Sequence, residues 1–389
     1  MNQKYTRAMR SYGCMLPQCS TQRGPLACGV TGLMNSEDDE DNYIGVVAHF
    51  FNGINEPRVS SVDFSLDGQC FVSAHKDGAL RLINVMKIRH TETINFDGFD
   101  AHCARFTQSN NVVCVAPQHG VDGHLYFVDL SNACVFSASG FLCDEIGDIP
   151  VCGNAPVYSA IVQSPHSDVI ASVFSPQGRL LLFNPLISGA LAASAERSII
   201  GRTTAVSFSP DGRKLVVGDD QLVRLFDFRF MFNSAPVVLK NSQVFTQSGV
   251  APRCQGAEVS ADGSKLLLTS GAGEAVVYDL LDEKVVCSYF HGVAKNHFIG
   301  ANDAVGAKYL YPFIDNSLVV QPVTNANGDR PLLVYNTPID YKTIGSERGA
   351  LLYELQCKDN GLPVAMAVNP RYALVANASR CVTLWSLAI

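Results

Sequence analysis

The chain is poor in tryptophan, poor in charge and free of long apolar runs. One tryptophan occurs in 389 residues, and only 17% of the residues are charged. The longest apolar stretches are strand-sized, well short of the roughly 20 residues a helix needs to cross a membrane, so no spanning helix is expected. The 13 cysteines contain no C-x-x-C pair; Cys14 and Cys19 stand closest, and no histidines follow at zinc-finger spacing, so a metal site is not expected. An odd cysteine count among mostly apolar neighbours fits reduced core thiols of the cytosol or nucleus. Met1-Asn2-Gln3-Lys4-Tyr5 lacks the apolar centre of a signal peptide, and no secretory leader is expected. Lys and Arg (29) are outnumbered by Asp and Glu (36), and the net charge of −7 disfavours direct binding to a nucleic-acid backbone.

What the chain does have is 47% hydrophobic residues in a recurring pattern. Seven apolar stretches each close on a bulky residue followed by a small polar one. They run Leu80–Asn84, Leu125–Asp129, Leu180–Asn184, Val223–Asp227, Ala275–Asp279, Leu332–Asn336 and Val382–Ser386. Their last residues lie 43 to 57 positions apart. A recurrence of about 40–50 residues with a Trp-Asp-like strand end is the mark of a WD-type β-propeller. The expected fold is all-β, a single seven-bladed ring over residues 1–389.

Blade four shows how a repeat is built. Thr204–Phe208 alternates apolar and small polar residues as a strand should, and Ser209-Pro210-Asp211-Gly212 makes a tight turn. Lys214–Val217, the turn Gly218–Gln221 and the strand ending at Asp227 complete a meander. Blade six departs most: its first strand is placed around Tyr309–Phe313 and its second turn grows into Asn325–Arg330. After Ser386 too few residues follow for a fourth strand, and a missing strand would leave a sheet edge open. Ile44–Phe51 is therefore expected to complete the last blade and close the circle. Residues 13–42, with the acidic run Glu37-Asp38-Asp39-Glu40-Asp41, are expected as an exposed insertion, since like-charge runs are usually solvated.

Reactive chemistry is not apparent. No G-x-x-x-x-G-K-[ST], H-E-x-x-H or G-x-S-x-G motif occurs. Gly120-Val121-Asp122-Gly123 lacks the following helix a phosphate cradle needs. His119 and His124 flank a turn and read as exposed loop histidines, and His291 and His297 straddle a loop with no carboxylate or cysteine partner at catalytic or metal spacing. No catalytic residue, cofactor or metal is assigned, and the chain is not expected to be an enzyme. The rim of second turns and inter-blade loops is the expected protein-binding surface, carrying Arg58, Lys76, Asp77, Arg202, Asp219, Asp220 and Arg253.

The segment Gly361–Tyr372, with Asn369-Pro370-Arg371-Tyr372, continuing to Thr383–Ile389, resembles the C-terminus of a nuclear WD-repeat family. That family is the small propeller subunit shared by the COMPASS histone lysine methyltransferase and the PNUTS–protein phosphatase complex. Tyr5–Tyr12 is similar to the family's opening segment, Leu225–Phe230 to its L-Y-D-L-R-S-F, and Gly256–Leu266 to its G-L-K-F-S-N-D-G-K-L. The acidic insertion, the longer blade six and the degenerate strand ends mark a divergent member. The resemblance implies a non-catalytic nuclear scaffold, monomeric within a hetero-complex, serving transcription termination and histone methylation. Its implied partners are a PNUTS-like phosphatase-targeting protein, a COMPASS-type methyltransferase and the RNA polymerase II machinery, without nucleic acid or membrane. The alternative is a generic cytosolic WD scaffold in autophagy or ubiquitin ligation. The F-R-R-G motif of phosphoinositide-binding propellers is absent, because Phe230 follows Arg229.

Overall fold

A strand that is apolar at consecutive positions has to bury both of its faces, because successive side chains point to opposite sides of the sheet. Runs such as Leu180–Phe183 and Leu332–Tyr335 pose that problem, and sheets stacked face to face around a ring solve it. The computed structural model describes residues 19–22, 44–50, 57–97, 99–117, 124–139, 158–174, 179–184, 190–193, 205–230, 233–246, 253–290, 306–310, 318–323, 332–337, 347–348, 350–355, 365–378 and 381–387. Among these residues the strands form seven sheets, each an antiparallel meander of four strands at its centre. Blade one runs Val59–Phe64, Cys70–His75, Leu80–Asn84 and Arg89–Phe96; blade four runs Ala205–Phe208, Lys214–Gly218, Leu222–Asp227 and Val237–Lys240. Within each blade the first strand lies innermost, against the first strands of its neighbours.

The core is divided as a ring requires. Seven apolar clusters are found among the described residues, one between each adjacent pair of blades. Between blades three and four, Ala171, Val173, Leu180 and Leu182 meet Phe208, Leu215, Val217 and Phe226. Between six and seven, Leu332 and Val334 meet Val375, Trp385 and Leu387. The alternate residues Leu181 and Phe183 face the other way, onto Cys114, Leu125 and Phe127 of blade two. Among the described residues the middle strands are buried on both faces, which is why the third strands lack the alternation of a one-sided sheet.

The small polar residue that ends each third strand has a local cause. The side chains of Asn84, Asp129, Asp227 and Asp279 accept hydrogen bonds from the backbone N–H of Lys87, Ser131, Arg229 and Leu281, at 2.8, 2.9, 3.1 and 2.8 Å. Asp and Asn are favoured there because they fold the chain back over their own carboxylate or amide oxygen. The first turns use serine the same way: the Oγ atoms of Ser65, Ser209 and Ser260 accept from the N–H of Cys70, Lys214 and Lys265 at 2.9, 2.8 and 2.9 Å.

Ile44–Phe50 pairs antiparallel with Val382–Leu387, with Val46 opposite Trp385, and so supplies the outermost strand of blade seven. Asn369 seals the same seam on the turn side. It is fully buried, its Nδ2 donates to the Gly68 carbonyl at 2.9 Å, and its Oδ1 caps the N–H groups of Arg371 and Tyr372.

Three details differ from the sequence expectation. Cys19–Gln22, inside the segment expected as an exposed insertion, is a strand paired with the outermost strand of blade one; Glu37–Asp41 lies outside the described residues. The first strand of blade six is Lys308–Tyr309, earlier than the placement around Tyr309–Phe313, and residues 311–317 lie outside the described residues. Blade five also gains a fifth strand, Glu347–Arg348, parallel to Lys284–Phe290.

Blades five and six touch backbone to backbone. A Cβ placed on Gly256 would lie 2.4 Å from the Gly306 Cα. Gly256→Ala is therefore expected to cost about 1–3 kcal/mol through forced separation of the two strands. At the exposed turn Gly263 nothing lies within 4 Å of such a Cβ, so alanine there meets only the backbone strain of φ +72°, on the order of 1 kcal/mol. Equilibrium urea unfolding of both variants checks the difference.

Candidate functional site

In an antiparallel meander the second turns and the inter-blade connections emerge at one end of every blade, and the first and third turns at the other. The expected rim residues belong to the former face. In blade one the Lys76 N–H donates to the Arg58 carbonyl at 2.8 Å, and in blade five the Gly271 N–H donates to the Arg253 carbonyl at 2.9 Å. Arg58 and Arg253 thus hold equivalent positions at the head of an innermost strand, and both are exposed, as is Lys76. Arg253 Nε stands 3.7 Å from Asp220 Oδ1. Arg202 lies outside the described residues. The rim residues form two groups, Arg58–Lys76–Asp77 on blade one and Asp219–Asp220–Arg253 at the junction of blades four and five. They are not brought into one site.

The two aspartates nearest the core serve the blades themselves. Asp77 accepts from Arg81 through both oxygens, at 3.2 and 2.7 Å, and from the Ala79 N–H. Burial works against its charge, but the hydrogen bonds and charge of Arg81 outweigh burial and hold its carboxyl below the usual range. Asp219 departs from the rim expectation: it is buried, pairs with Arg224, and accepts from the N–H groups of Gln221 and Leu222 at 2.7 Å each. An aspartate in the second turn followed four or five residues later by an arginine on the third strand is one device used in both blades. It pins the turn to the strand.

His75 completes the blade-one arrangement. Its Nδ1 donates to the Pro57 carbonyl at 3.2 Å, which leaves Nε2 to accept from Ser73 Oγ at 2.9 Å. Burial, reinforced by the nearby Arg81 charge, lowers its pKa to about 3. The unfolded chain therefore takes up a proton below about pH 6.5 that the folded ring refuses until about pH 3. Stability is expected to fall with decreasing pH across that window, by up to about 1.4 kcal/mol per pH unit. Thermal melts at stepped pH, with His75→Gln showing a shallower decline than the parent, check this.

Sequence reasoning missed four charged residues on the innermost strands. Asp63, Arg105, Glu258 and Lys308 each sit between buried neighbours near the strand's end. Asp63 Oδ2 accepts the Phe106 N–H of blade two at 2.8 Å, and Glu258 Oε2 accepts the Tyr309 N–H of blade six at 2.8 Å. Arg105 NH1 donates to the Val62 carbonyl at 3.0 Å. Burial raises the pKa of Asp63 and of Glu258, opposed by Arg105 and Lys308. The signal was available, a lone charge in an apolar strand at the same place in four repeats. Its chemistry is that of an inter-blade fastener, since both carboxylates are committed to a neighbour's backbone.

Among the described residues no group of three or more His, Cys, Asp or Glu is arranged to hold a metal, and no helix is long and apolar enough to cross a membrane. Cys103, Cys114, Cys254, Cys287 and Cys381 are buried and not joined in disulfides, and burial pushes Cys254 up to about 12 and Cys287 up to about 11. His119, His291 and His297 lie outside the described residues.

A family profile for the WD domain, G-beta repeat (WD40), matches residues 45–84 and 196–227. The first match begins in the strand that closes blade seven and ends with the third strand of blade one, so the sequence repeat is offset from the blade by one strand. No curated protein matches the chain. WD40 propellers in general are non-catalytic scaffolds that bind protein partners. The described residues thus form a seven-bladed β-propeller, and two stretches of the chain match the WD40 repeat.

Proposed function

We propose that this propeller is a non-catalytic scaffold subunit of nuclear chromatin and RNA polymerase II complexes. In this reading it joins a PNUTS-like phosphatase-targeting protein in transcription termination and a COMPASS-type methyltransferase in histone lysine methylation. The observation that carries the scaffold role is a closed ring whose inner charged groups are spent between blades, leaving two faces of turns for partners. The nuclear assignment rests on the likeness of the Asn369–Tyr372 turn and of blades four and five to the family subunit. The rim residues Arg58, Lys76, Asp77, Asp220 and Arg253, with Arg202, are the proposed contacts on one face. Native purification of the full chain with its endogenous partners, followed by mass spectrometry, tests the reading. Recovery of a phosphatase-targeting protein or a histone methyltransferase is the expected result; recovery of phagophore or ubiquitin-ligase subunits overturns it. Charge reversal at Arg58, Lys76 and Arg253 that leaves both fold and partner recovery unchanged removes the rim from the proposal.

A further inference from the structure

The face opposite that rim carries the first and third turns, and its charges are not evenly handled. On blades four and five the turn cations are neutralised within their own turns. Arg213 lies 3.9 Å from Asp211, Arg229 lies 2.5 Å from Asp227, and Lys284 lies 2.8 Å from Asp282. At the seam of blades seven and one the pattern breaks. Lys87, Arg89 and Arg371 are exposed, and among the described residues none has a carboxylate at ion-pair distance. Asp67, the acid of the first turn of blade one, is half-buried and engaged by Ser65 Oγ at 2.6 Å and the Gln69 N–H at 3.0 Å.

Apolar side chains stand among these cations. Met86 is 60% exposed at the tip of the third turn of blade one, Leu66 is 41% exposed at its first turn, and Tyr372 is 38% exposed on blade seven. Hydrogen bonds join them into one surface. The Val85 N–H donates to the Gln69 carbonyl at 2.9 Å, Arg371 Nε donates to the Leu66 carbonyl at 3.4 Å, and Asn369 reaches the Gly68 carbonyl. Clustered large apolar residues that a folded chain leaves in water mark interaction surfaces. Unpaired cations around them select an anionic partner, most strongly on a protein of net charge −7 whose remaining surface repels that partner.

We propose that the turn face at the seam of blades seven and one docks a protein segment in which acidic and apolar residues alternate. The carboxylates meet Lys87, Arg89 and Arg371, and the apolar side chains cover Leu66, Met86 and Tyr372. Three cations on an acidic protein are too few for nucleic-acid affinity, which grows with the number of phosphates neutralised, and the apolar residues have no counterpart on a sugar-phosphate backbone. This inference deepens the scaffold reading and rests on it for the existence of a protein partner.

The test uses the full chain and a fluorescein-labelled peptide in which glutamate alternates with leucine and phenylalanine, read by anisotropy. A second peptide carries glutamine for glutamate, and a third alanine for the apolar residues. The acidic-apolar peptide is expected to bind at least about tenfold tighter than either control. Lys87→Glu combined with Arg371→Glu, and separately Leu66→Ser combined with Met86→Ser, are each expected to weaken it about tenfold or more. Arg213→Glu, on the same face of blade four, is expected to leave it unchanged. All substituted side chains are exposed, and thermal melts verify that the ring stays folded. Failure of the acidic-apolar peptide to bind, equal binding of the glutamine peptide, undiminished binding to either double variant, or tighter binding of poly-uridine or anionic vesicles overturns the proposal. Peptide failure alongside recovery of endogenous partners sinks the patch alone. Peptide binding without any recovered partner sinks the scaffold reading.

Discussion

Arg224→Ala is expected to cost about 3–5 kcal/mol, because it strands a buried carboxylate. The Arg224 and Asp219 side chains are only 6% and 4% exposed, so water cannot replace the lost guanidinium. Asp219 cannot swing out either. Its carboxylate caps Gln221 and Leu222, and its carbonyl accepts the Cys254 N–H of blade five at 3.2 Å and Asn241 Nδ2 at 2.9 Å. The damage should spread to the contact between blades four and five. Blade one supplies the comparison. Arg81→Ala removes the same kind of partner from Asp77, but the Asp77 side chain is 37% exposed. Solvent then takes over much of the arginine's role, and the loss should be on the order of 1 kcal/mol. Equilibrium unfolding in urea measures both. Equal losses in the two blades would show that burial does not set the value of this pair.

Ala48→Asp is expected to open the ring. Ala48 is wholly buried on the closing strand, opposite Leu384, within the cluster formed by Phe50, Val59, Phe64 and Val382. An unpaired carboxylate placed there costs several kcal/mol and has no cation among those neighbours. That cost falls on a blade assembled from Ile44–Phe50 and from strands more than three hundred positions later. The closing strand is expected to detach, exposing the edge of Val382–Leu387 and promoting aggregation through unpaired backbone groups. Ala48→Ser is the mild control, at about 1–3 kcal/mol for an ill-satisfied hydroxyl. Size-exclusion chromatography and hydrogen exchange at Val382–Leu387 separate the outcomes. Protected amides there in the aspartate variant would refute strand release.

Much of the fold was legible because the repeat has local causes. The Asp or Asn after the bulky strand end is a turn cap in blades one, two, four and five, the Ser-x-Asp-Gly segments are turns closed by their own side chains, and both signals are complete within a few residues of chain. Third strands such as Leu180–Phe183 and Leu332–Tyr335, apolar throughout, demand burial on two faces, which a stack of blades provides. Completion of blade seven by Ile44–Phe50 followed from counting strands and needed no knowledge of packing. Blade six was read less well, since Lys308–Tyr309 is too short to show any alternation. The strand at Cys19–Gln22 carries no apolar pattern at all, and its place depends on the edge of blade one that receives it.

The binding surface was far less legible. Asp219 and Asp77 look alike in sequence, each an aspartate in a second turn, yet one is sealed into a junction between blades and the other is partly wet. Lys87 and Arg89 look like ordinary surface cations, as does Arg371, which follows them by nearly three hundred positions in the chain. What distinguishes them is that, among the described residues, no carboxylate stands at ion-pair distance across the seam that closure of the ring creates. Asn369-Pro370-Arg371-Tyr372 shows both sides of the matter: its asparagine latches blade seven to blade one, while its arginine and tyrosine face solvent beside Leu66.

The amino-acid sequence by itself determined the repeat, its turns, the two-sided burial of each blade and the strand that closes the circle. These depend on hydrogen bonds and apolar spacing within short stretches of chain. Only the tertiary structure decided which charges are spent between blades and which remain unpaired on a face. That depends on distances between residues far apart in the chain, and in this protein the ring brings them together only when its first and last blades meet.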